Sequence, residues 1–187
     1  MNRKPARFPR LPSAMVTRRI WTAAALGVVL SAGVGCSMMG YTLGSTLPRD
    51  LRRVYVPTFE NVSGEPQLEA ETTAAAVREF QKDGTLQVVR TEAEADLVLR
   101  VKVVKFALEP LRYDQNQEKK ATEYRMRIDA RLECENRRAG TILVAQSVQG
   151  HTDFTPSGGL TVSKQDALPD AAADLAHKIV KSVVEAW

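Results

Sequence analysis

From Tyr124 to Glu135 apolar and charged residues alternate without a break. Tyr124, Met126, Ile128, Ala130, Leu132 and Cys134 fall on one face, and Arg125, Arg127, Asp129, Arg131, Glu133 and Glu135 on the other. A period of two over that length predicts a β-strand with one buried and one polar face. Leu97 to Phe106 repeats the pattern, with Leu97, Leu99, Val101 and Val103 set against Arg100 and Lys102. Shorter strands are expected at Val54–Phe59, where Pro57 favours an edge or a strand end, at Leu86–Val89, and at Thr141–Gln149.

Two stretches change to helical spacing. Pro66 suits a first helical turn, and Leu68, Thr72, Ala76 and Phe80, with Ala75 and Val77, form one stripe that Asp83-Gly84 ends. Leu168, Ala172, Leu175, Ile179 and Val183 make a second stripe, for which Asp166 serves as cap and Pro169 falls in the first turn. Residues 109–121 read as a polar connection at a hairpin tip, and 150–165 as a mobile loop. The order β-α-β-β-β-β-α predicts an α+β fold, a two-layer sandwich with two helices packed on one face of a four- to five-stranded mixed sheet.

The chain before this domain has a different character. Arg3, Lys4, Arg7, Arg10, Arg18 and Arg19 precede an apolar run from Ile20 to Val34, too short for a transmembrane helix and suited to a signal peptide. The run ends in Ser31-Ala32-Gly33-Val34-Gly35-Cys36, which resembles a bacterial lipobox although Gly33 stands where a branched apolar residue is usual. Residues 1–35 are therefore expected to be a lipoprotein signal peptide, Cys36 the lipidated residue, 36–52 a tether, and 53–187 the folded domain. Acyl chains on Cys36 would anchor the domain firmly to a membrane outside the cytoplasm. Ser37 after the cysteine favours the outer membrane.

Charge follows the same division. The whole chain has 26 Lys+Arg against 22 Asp+Glu, a formal +4, but all six cations of the first 35 residues would leave with the signal peptide. The remainder is slightly acidic and has no basic stripe or stacking motif, which argues against a nucleic-acid partner. Catalytic groups are sparse. His177 lies beside an apolar stripe, His151 and Asp153 form a polar pair at a strand end, and Cys134 sits on a core face. Glu69 and Glu71 suit a helix start, and Glu92, Glu94 and Asp96 read as a solvated link. No enzyme, metal or cofactor is expected. Arg112, Lys119, Lys120 and Lys164, in the two long connections, are the cations placed to meet an anion such as a lipid phosphate.

Assembled, these parts resemble the LPS-assembly lipoprotein family, LptE. The likeness is carried by Gly35-Cys36 with Gly40-Tyr41, Leu47-Pro48 leading into Val54-Tyr55-Val56-Pro57-Thr58-Phe59-Glu60-Asn61, Leu68-Glu69 with Thr72, Asp83-Gly84, Ala95-Asp96-Leu97-Val98-Leu99, and Glu123-Tyr124. It implies an α/β sandwich at the periplasmic face of the outer membrane, seated in an LptD-type β-barrel as plug and assembly aid, and binding lipopolysaccharide on its way to the outer leaflet. Lys119 or Lys120, just before Glu123-Tyr124, and Lys164 then become the counterparts of the family's lipid-contacting cations. The other reading is an independent envelope lipoprotein that binds some other ligand, or a minor hydrolase using His151 and Asp153.

Overall fold

A computed structural model describes residues 50–114 and 117–186, without the side chains of 117–120. The leader and Cys36 lie outside the described residues. The elements in chain order are β1 (Arg53–Tyr55), β2 (Glu60–Asn61), α1 (Leu68–Asp83), β3 (Gln87–Val89), a 3-10 turn (Glu92–Glu94), β4 (Leu97–Asp114), β5 (Gln117–Asn136), β6 (Thr141–Phe154) and α2 (Leu160–Val184). The sheet runs β3-β1-β4-β5-β6, with β2 paired to β4 as well. Of the strand expected at Val54–Phe59 only Val54 and Tyr55 are strand, in β1, and β2 follows just past it; both run parallel to β4, pairing at Leu97 and Val98 and at Lys102 and Val103. Pro57 lies in the gap, where the ladder lacks its N–H.

Both helices cover one face, as the α+β sandwich requires. Leu99, Val103, Met126 and Ile128 from the sheet meet Phe80 and Leu68 of α1 and Leu175 and Ile179 of α2 in one buried cluster. The stripe of α1 is buried at Leu68, Thr72, Ala75, Ala76 and Phe80, and Gly84, at φ 74°, closes the helix by donating its N–H to the Phe80 carbonyl. At Gly150 the sheet and α2 come close. A Cβ there would lie 2.5 Å from Leu175 Cβ and 2.7 Å from the Ala171 carbonyl oxygen.

Several expectations need correction. Residues 109–121 are strand rather than connection: β4 runs to Asp114 and β5 starts at Gln117, pairing Glu109 with Arg125 and Tyr113 with Ala121. A bulge at Val104 moves the core phase of β4 by one residue, so Phe106 and Leu108 follow Leu97–Val103 on the helix side, opposite Ile128 and Met126. Beyond them both faces are largely solvated, and alternation disappears although the strands continue. The loop expected at 150–165 shrinks to 155–159, because β6 extends to Phe154 and α2 begins at Leu160. Pro169 lies inside that helix, not in its first turn. Gly158 and Gly159, both at positive φ, make the entry. Leu51, placed in the tether by its sequence, is buried in the core cluster.

Candidate functional site

The helix-free face of the sheet is a field of ion pairs. Arg100 reaches Glu135 at 2.7 Å and Glu92 at 3.4 Å, and Lys102 reaches Glu60 at 2.7 Å. Arg127 pairs with Glu109 at 2.6 Å. Arg125 grips Asp153 with two bonds of 2.7 and 2.8 Å, which hold the Asp153 carboxyl below its usual range and raise the guanidinium. Where the ladder breaks at Pro57 this face forms a cleft of about 670 Å³, floored by Lys102, Arg131, Ala145 and Ser147.

The β4–β5 hairpin carries most of the candidate anion contacts. Arg112 is on β4, and Lys119 and Lys120 are on the facing arm, β5. Arg112 is largely exposed and 3.4 Å from Glu123, so its guanidinium is open to a further partner. The side chains of Lys119 and Lys120 lie outside the described residues. Leu111 and Tyr113 are exposed apolar neighbours, and Tyr124 stacks on Phe154 at 5.9 Å lower on the ribbon. Lys164 is not at the hairpin tip. It lies on α2, with Nζ 2.6 Å from Glu65 Oε1 and 5.8 Å from the centre of the Phe106 ring, and its charge is already met by Glu65.

The residues weighed for chemistry are held apart. Asp153 is engaged by Arg125, while His151 gives its amide to Asp174 at 2.8 Å and sets Nδ1 3.4 Å from the same carboxylate. His177 meets Glu79 at 2.9 Å across the two helices, an interaction that leads those lowering the Glu79 carboxyl. Burial pushes the Cys134 thiol up to about 12. Among the described residues no three of His, Cys, Asp and Glu gather as a metal-binding group, and no helix is long and apolar enough to cross a membrane.

Asp96 was expected in a solvated link and is instead nearly inaccessible. Its carboxylate accepts the Arg52 and Arg53 amides at 3.2 and 3.0 Å, the Arg53 side chain at 3.3 and 3.1 Å, and Arg138 at 2.7 Å. Its own main chain adds two bonds, to the Arg53 carbonyl and from the Arg137 amide. The carboxyl thus ties β1 to the start of β4 and to the β5–β6 turn. An acid directly before the apolar run at Leu97 was the only signal for it in the sequence.

The LptE lipopolysaccharide-assembly family model matches residues 51–183, which is the whole described sandwich except its last few residues. The chain belongs to the LptE family. The fold agrees with solved structures at low identity. A crystallised protein of Xanthomonas campestris is 12% identical with a TM-score of 0.54, covering 75% of this chain and 88% of that one. A hypothetical protein of Chlamydia trachomatis is 10% identical with a TM-score of 0.51, covering 71% and 95%. No curated protein matches. For an LptE-family chain the two features that stand out are the β4–β5 hairpin that carries Arg112, Lys119 and Lys120 and the charged, helix-free sheet face.

Proposed function

We propose that this LptE-family chain is an outer-membrane lipoprotein, anchored through acyl chains on Cys36, that partners an LptD-type barrel as plug and assembly factor and binds lipopolysaccharide for insertion into the outer leaflet. The observation that carries this reading is the family match across nearly all of the sandwich, 51–183. The geometry is consistent with it in two respects. A sheet face of paired charges suits the polar interior of a barrel, and a hairpin that carries Lys119 and Lys120 on one arm and exposed Arg112, Leu111 and Tyr113 on the other offers cations and apolar surface to a phosphorylated lipid. Lys164, neutralised by Glu65, contributes less to anion affinity than the hairpin cations do.

The lipid-binding half is tested with the full acylated protein in detergent, titrated with fluorescent lipopolysaccharide. Replacing Arg112, Lys119 and Lys120 together by Ala should weaken binding by about tenfold or more, since exposed charge contacts each contribute under about 1 kcal/mol, whereas Lys164→Ala should shift it by less than about threefold. Unchanged affinity in the triple variant would remove the hairpin from the reading. Cys36→Ala should block acylation and release the domain from membranes.

A further inference from the structure

We infer that the helix-free sheet face around Arg131 and Lys105 is a docking surface for the acidic part of a partner's polar protein wall. This rests on the barrel-partner reading and names the face that would meet the barrel's interior.

The argument starts from a local rule that the sheet breaks. Lys102 and Arg131 stand directly opposite each other on antiparallel β4 and β5. Like charges in that position repel and destabilise the pairing. Lys102 is compensated by Glu60, but Arg131, which is exposed, has no ion-pair or hydrogen-bond partner among the described residues. Its neighbour Lys105 is exposed too, and lies opposite Asp129. That carboxylate takes Gln149 at 2.7 Å and Arg127 at 3.5 Å, both through Oδ1, and Lys105 makes no ion pair with it or with any other acid among the described residues. On this face Arg100, Lys102, Arg125 and Arg127 all have carboxylates. Two adjacent cations stay open where every other one is paired, and such a departure from local consistency is expected where function needs it.

Shape agrees with charge. On β6 the residues facing Arg131 and Glu133 are Ser147 and Ala145, small side chains that leave the cleft of about 670 Å³ open on that side. Glu60 and Glu133 also line it, so a polyanionic lipid headgroup would meet carboxylates there. A protein wall can instead set acids against Arg131 and Lys105 and a base near Glu133. Such matched charges fix register and exclude wrong partners.

The experiment uses the full acylated protein in its own envelope. A photoreactive amino acid at position 131, and separately at 147, should yield on illumination an adduct with a barrel-sized protein, and one at Gln81, exposed on the side of α1 away from the sheet, should not. Arg131→Glu combined with Lys105→Glu should lower recovery of that barrel in gentle detergent by at least about tenfold, because like charges would then face each other. Both residues are exposed, and unchanged melting of the purified variant establishes that it still folds. An adduct with lipopolysaccharide at 131, no adduct at either position, or undiminished recovery of the barrel by the double variant each overturns the inference. If the unsubstituted protein itself recovers no barrel, the functional reading fails instead.

Discussion

Asp96 is buried while Glu92 and Glu94, close before it, are exposed. Burial by itself would raise its carboxyl. Hydrogen bonds from the Arg53 side chain and from the Arg52 and Arg53 amides, with the Arg53 charge, outweigh that and hold it at about 2, against an ordinary 3.8. Because the folded value lies below the unfolded one, the stabilisation is complete above about pH 4 and is lost as pH falls toward 2. The difference corresponds to about 2 kcal/mol. Asp96→Asn should cost about 2–3 kcal/mol in urea unfolding at neutral pH, and its stability relative to the unsubstituted protein should converge as the solution is acidified below about pH 3. A gap that stays constant from neutral pH to acid would mean that Asp96 acts by shape alone.

At the scale of elements, β6 and α2 make a tight contact at Gly150. Gly150 lets the Leu175 side chain and the Ala171 carbonyl approach the strand, and the side chains of Asp174 and Lys178 then take the free amide of His151 and the free carbonyl of Gln149. The same helix therefore packs the sheet and covers part of its open edge. Gly150→Ala should force α2 outward and cost about 1–3 kcal/mol, read as a lower melting temperature, with edge amides near His151 exchanging faster. Unaltered melting would show that α2 sits farther from β6 than this geometry has it.

How much of these elements was legible in the sequence follows from where solvent lies. The one-sided burial of β5 over Tyr124–Cys134 and the stripes of α1 and α2 leave a periodic trace, and the structure has them where that trace puts them. The distal hairpin leaves none, because Pro110–Tyr113 is exposed on both faces and Ala121–Tyr124 across from it is half-buried on both. The bulge at Val104 is similarly hidden, since the adjacent apolar pair Val103-Val104 masks the change of phase between Leu97–Val103 and Phe106–Leu108. The first turns of α2 were missed because Asp166 and Pro169 look like start signals, while Leu160–Gln165 has no buried apolar residue and anchors through polar groups, Ser163 to Ser157 and Lys164 to Glu65. At the candidate site the cations Arg112, Lys119 and Lys120 were found by residue type, but Arg131 stands out only once the register sets it against Lys102.

At the scale of the whole molecule, the division of surfaces is the main result. One face of the sheet is sealed by helices, the other is a polar field with two open cations, and the β4–β5 ribbon carries Arg112, Lys119 and Lys120. The formal +4 of the chain belongs to its first 35 residues, so this pattern is local in a slightly acidic domain. A domain that bound its ligand alone would need only the ribbon, while a barrel plug also uses the flat polar face. The measurement that separates them most directly is gentle detergent extraction and affinity recovery of the full acylated protein from its own envelope. A stoichiometric outer-membrane barrel of much larger mass, with lipopolysaccharide, is the predicted result, and recovery of the lipoprotein by itself would contradict the account.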